Sequence, residues 1–127
     1  MAHASENYVC EFGARLKHVN LDPTNPKAKV EKEPSRYTFI VNDKGPSKYI
    51  NMKDGVPAPL YVVKAESRTV FIENNLSDNQ FVVTVFLSKS NTTSKPALFT
   101  FHGWVGKDES DFFMPETAVG RCTIIPQ

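Results

Sequence analysis

Nowhere in this chain do apolar residues return every three or four positions over a useful length, which argues against long amphipathic helices. A surplus of one charge is missing too, with 15 Lys and Arg set against 14 Asp and Glu. Without a basic surplus to lay along phosphates, nucleic acid is not expected as a partner. No apolar run approaches the ~20 residues of a membrane helix, so membrane insertion is not expected. The opening MAHASENYVCEF has neither the basic nor the apolar region of a secretory signal. That favours a cytoplasmic protein, or one exported by another route.

Cysteine is scarce, with Cys10 and Cys122 at opposite ends. A bridge between them would close a long loop and contribute ~4–5 kcal/mol in chain-entropy terms. In a cytoplasmic chain, two buried free thiols are the expectation. Two distant cysteines and three scattered histidines assemble no zinc site, and no histidine follows Cys122 as a copper site requires. Phosphate-loop, dinucleotide and nucleophile-elbow glycine spacings are absent. No cofactor is expected, and enzyme activity is not the favoured reading. The glycosylation patterns at Asn75 and Asn91 read as chance matches in polar turns.

What is present is period-two hydrophobicity. The 127 residues suit one domain, 1–127, and nine Phe with four Tyr promise an aromatic interior. NYVCEF reads as a first strand that continues past Gly13 as ARLKHV, with Gly13 marking a bulge. Residues 20–35, with three prolines and no periodic face, read as a long surface connection. RYTFIV, YINM, LYVVK, TVFIE, FVVTVFLSK, ALFTFHGWV and RCTIIP read as strands, with FFMPETAVG ambiguous. Pro57 and Pro59 argue against a central ladder position for their segment. FVVTVFL is apolar on both faces, as befits a strand covered on both sides. The fold expected is all-β: an antiparallel two-sheet β-sandwich of seven to nine strands, with immunoglobulin-like or cupredoxin-like architecture.

Three places offer chemistry. In LFTFHGWV, alternation puts Leu98, Thr100, His102 and Trp104 on one face and Phe99, Phe101, Gly103 and Val105 on the other. The second face reads as core. The first would make a platform on which Trp104 stacks a sugar ring while His102 supplies a hydrogen bond, or it is simply a second buried face. Turn alternation would gather Asp78, Asp108, Glu109 and Asp111 at one pole, where a calcium ion is conceivable although the EF-hand spacing is not met. The hydroxyl-rich loop with Asn91, Thr92 and Thr93 would be a recognition tip for a glycan or a protein edge, or is simply a polar turn.

The favoured function is a non-catalytic binding or assembly module. It would recognise itself or another protein through loop tips and a sheet face. Self-association is motivated by exposed sheet edges, the aromatic surplus and near-zero net charge. The alternatives are a glycan-binding, lectin-like domain using Trp104 and a small hydrolase with a site near His102 and Asp111.

Overall fold

The computed structural model describes residues 5–19, 22–74, 80–87, 93–105 and 112–126; for 103–105 and 112–114 only the backbone is described. Ten strands follow in chain order: β1 (Ser5–Phe12), β2 (Arg15–His18), β3 (Ala28–Glu31), β4 (Ser35–Asn42), β5 (Ser47–Asn51), β6 (Pro57–Lys64), β7 (Arg68–Glu73), β8 (Gln80–Phe86), β9 (Ser94–Val105) and β10 (Phe112–Pro126). No helix occurs among the described residues.

Eight strands close into an antiparallel barrel in the order β1-β4-β5-β6-β7-β8-β9-β10, with β10 pairing back to β1. The expected sandwich is therefore wrong. Inward and outward residues alternate identically in a barrel and a sandwich, so the period cannot separate them. The difference lies in β1, which pairs with β4 along one edge and with β10 along the other. A sandwich would leave its sheets unjoined. Here one sheet curls on itself, and eight strands enclose a space that side chains can fill.

The filling is graded in size. Phe12, Phe39, Phe71 and Phe99 are buried to within 1% of full enclosure and belong with Val83 to one mid-barrel core cluster. Phe39 and Phe71 stack with centroids 4.4 Å apart. Room for these rings comes from small residues on β9, β10 and β1: Ala97, Ala118, Gly120, Cys10 and Cys122. Gly120 sits opposite Phe12, and a Cβ there would lie 2.0 Å from the Glu11 carbonyl oxygen and 2.8 Å from the Phe12 ring. Only a glycine lets the aromatic cross at that point.

Cys10 and Cys122, paired across β1 and β10, form a buried disulfide, which overturns the expectation of free thiols. It joins the first and last strands of the ring, which is where the barrel closes.

Beyond Phe12 the register slips. Phe12 faces Gly120 and Leu16 faces Thr117, so three residues on the N-terminal side span two on β10. This is the bulge anticipated at Gly13, whose N–H still donates to the Val119 carbonyl at 3.1 Å. The extra residue inverts the alternation. Leu16 turns outward to solvent, while Lys17 shares the inner side with Glu116 and Arg15 lies over the buried Phe99 ring at 5.6 Å.

Residues 20–35 hold more structure than expected. β3 pairs with β2 as a hairpin appended to β10 outside the ring. Three of its four residues are exposed, so no apolar stripe advertised it. Pro57 and Pro59 do lie in a ladder, paired with Ile50 and Lys48 of β5. They occupy the part of β6 that precedes its pairing with β7 at Leu60, so the missing N–H groups cost one ladder rather than two. β10 runs unbroken through the ambiguous FFMPETAVG.

Candidate functional site at the barrel mouth

Among the described residues, a cavity of about 510 Å³ lies at one end of the barrel, above the mid-barrel phenylalanines. Its apolar walls are Tyr37, Tyr49, Phe81, Phe99, Phe101 and Ala58, all inward-facing positions of β4, β5, β6, β8 and β9. Tyr37 stacks on Phe99 at 5.7 Å and Tyr49 meets Phe81 edge-on at 4.8 Å, so the walls brace one another. The β5–β6 connection adds Lys53, Asp54 and Val56 to the rim. That turn is tightly made. Gly55, at a φ of 72°, donates to the Asn51 carbonyl at 2.8 Å, and the Asn51 and Asp54 side chains accept from the Lys53 and Val56 N–H groups at 3.0 Å. Glycine supplies the left-handed conformation this turn requires.

Two carboxylates enter the mouth from opposite walls. Glu73 closes β7 and accepts a short hydrogen bond from the Tyr49 hydroxyl. Burial, followed by this bond and the carboxylate's charge, pushes the Tyr49 pKa well above the ordinary tyrosine value. Burial also raises that of Tyr37.

Glu116 of β10 is 5% exposed. Its Oε1 stands 3.4 Å from Lys17 Nζ and 3.9 Å from Arg15 Nη1, ion-pair distances without well-formed hydrogen bonds. Lys17 also donates to Glu31 at 3.3 Å within the hairpin, so it bridges β3 to Glu116 of the barrel. Burial disfavours the Lys17 ammonium, but the two carboxylates outweigh it and its pKa is raised. Among the described residues, Glu116 Oε1 and Arg15 Nε are buried without a hydrogen-bond partner.

Arg15, Asn51 and Lys53 also border a side cleft of about 400 Å³ between the hairpin and the start of β4, with Glu31, Glu33 and Arg36 on its walls. This cleft is polar and lacks the aromatic lining of the mouth.

Of the residues expected from sequence to carry function, His102 and Thr93 have described side chains, and neither lines the mouth cavity. Phe99 and Phe101 face inward as the alternation indicated, and His102 is exposed on the outer wall, between Gln80 and Pro115. Trp104 pairs through its backbone with Phe113, and its side chain lies outside the description. Thr93 is exposed, and its carbonyl accepts from the Ile124 N–H at 3.1 Å. Asn91, Thr92, Asp78, Asp108, Glu109 and Asp111 lie outside the described residues, as do the glycosylation patterns' Asn75 and Asn91. Among the described residues, no group of three or more His, Cys, Asp or Glu is arranged to hold a metal.

Sequence reasoning did not reach Arg15, Glu73 or Glu116. The signal available was Gly13, because a bulge there forces Arg15 and Lys17 to the inner side. Compared with known proteins, the chain matches no family model and no curated protein.

Proposed function

We propose that this protein is a non-catalytic binding module that holds a small, largely apolar molecule in the barrel mouth. The observation that carries this reading is the aromatic-walled cavity of about 510 Å³, capped by a few convergent polar groups. Recognition then rests on the barrel interior rather than on loop tips. The mouth's ionic groups engage one another, Tyr49 with Glu73 and Glu116 with Lys17 and Arg15, which suits orienting a ligand better than attacking one. The buried disulfide favours an oxidising compartment over the cytoplasm.

The test is saturable binding of a naphthalene-based fluorophore whose emission shifts in apolar surroundings. One site per chain is expected, and Ala58→Trp, which fills the mouth, should weaken binding by about tenfold or more. Equal binding by Ala58→Trp would place the probe elsewhere and end the reading.

Self-association is a second reading, favoured by the outer wall of β6–β8. Cross-strand rows Tyr61–Ile72–Val82 and Val63–Val70–Thr84 point outward, with Tyr61 56% and Val63 53% exposed. Ring closure pairs both edges of every barrel strand, so the edge-strand motive for association is replaced by this face. The occupant proposed is a second copy, since a formal charge of +1 offers little repulsion between chains. Light scattering after gel filtration should give a dimer or larger species that Tyr61→Lys with Val63→Lys converts to monomer. A monomeric parent protein at high concentration removes this reading.

A further inference from the structure

We infer that the mouth's ligand is a neutral aromatic molecule carrying a hydroxyl or carboxamide, recognised by Glu116 and Arg15; this rests on the binding reading above.

Lys17 Nζ and Arg15 Nη1 approach the acceptor Glu116 Oε1 only at ion-pair distances, 3.4 and 3.9 Å, and Arg15 Nε–H is a donor; both atoms are buried and neither has a hydrogen-bond partner among the described residues. Glu116 is more than nine-tenths buried and lines the cavity. Leaving a buried polar group unmade is costly, and the cost is recovered when a ligand supplies the partner. A hydroxyl or primary carboxamide can donate to a carboxylate and accept from a guanidinium through neighbouring atoms. A ligand with only a donor or only an acceptor satisfies half of the pair.

Among the described residues lining the mouth, Arg15 and Lys53 stand with Asp54, Glu73 and Glu116, so a ligand carboxylate would meet a surplus of negative charge in a partly desolvated site. A ligand ammonium could donate to Glu116 but could not accept from Arg15 Nε–H. A neutral hydroxyl or carboxamide avoids both difficulties.

Phe99 lies at the base of the mouth, stacked with Tyr37 and covered by the Arg15 guanidinium. Phe81 and Phe101 complete a wall of ring faces and edges against which a planar aromatic body packs.

Calorimetric titration of the full chain with naphthol, naphthamide, naphthalene, naphthoate and naphthylmethylammonium holds the ring constant and varies the group. Naphthol or naphthamide should bind about tenfold more tightly than naphthalene, and both ions more weakly than the neutral polar pair. Glu116→Gln keeps an acceptor and should retain the preference for naphthol over naphthalene, while Glu116→Leu should erase that preference. If Glu116→Leu fails to fold, Arg15→Met removes the donor half and should reduce the preference by itself. Equal affinity for naphthol and naphthalene, or tightest binding by either ion, overturns the ligand assignment while the mouth reading stands. No binding by any member of the series overturns both.

Discussion

Tyr49 shows how a single side chain couples the mouth to stability. Its hydroxyl is buried and donates to Glu73, so the folded state holds that proton more tightly than the unfolded chain. The sign follows from linkage. A raised folded pKa contributes stability in full below the unfolded value, here the ordinary 10.0, and that contribution is lost as pH climbs beyond it. Urea midpoints should fall as pH rises above 10, and Tyr49→Phe should make the fall shallower. Tyr37 shifts in the same direction, so a residual slope should persist in that variant. An unaltered slope in Tyr49→Phe would assign the alkaline loss to other groups. At this scale the sequence was informative about faces: the alternation in LFTF correctly separated Phe99 and Phe101 from Leu98 and Thr100. It was silent on partners, because Glu73 and Tyr49 meet only through strands separated in the chain.

Two elements decide how the barrel closes and what its mouth contains. The bulge between β1 and β2 is one, and Gly13 announced it. Its consequence was not legible, since inverted alternation matters only once β10 is known to lie alongside with Glu116 facing in. Deleting Ala14 equalises the count between Phe12 and Leu16 with that between Gly120 and Thr117, so Arg15 and Lys17 should stay on the inner side. Replacing both cations, Arg15→Met with Lys17→Met, should instead leave Glu116 a buried carboxylate without cations, at a cost of roughly 3–5 kcal/mol. Guanidinium unfolding checks this, and a loss under about 1 kcal/mol would show that Glu116 does not depend on them. The other element is the β1–β10 seam. Its disulfide spans a sequence separation of 112 residues, for which chain entropy gives about 5 kcal/mol. Reduction should lower the guanidinium midpoint accordingly, and the double variant Cys10→Ala, Cys122→Ala should match the reduced protein.

The described residues form a tube packed at mid-height, with a cavity at one end. That arrangement predicts a gradient of truncation costs. Phe71→Ala, at fully buried mid-barrel, should lose about 3–5 kcal/mol, whereas Phe101→Ala, half-buried at the mouth, should lose clearly less. Thermal or urea unfolding of the two variants measures it, and equal losses would mean that the mouth is packed as tightly as the middle. The filling scheme, with large rings set against Ala97, Ala118, Gly120 and the cystine, explains why aromatic abundance in the sequence did not imply a sandwich core.

Local pattern determined the strands. Period-two hydrophobicity, punctuated by Pro, Gly and Asn turns, depends on neighbours along the chain, so it fixed element type, inward faces and the bulge at Gly13. It failed for β3, whose exposed residues bury no face, and at Pro57 and Pro59, which sit where β6 has a single neighbour. Tertiary structure alone decided closure, the disulfide and the mouth. Each depends on β1 meeting β10 across almost the full length of the chain. A strand's alternation is the same whichever strand lies beside it, so only the assembled register could bring Glu116, Arg15 and Lys17 to one aromatic opening.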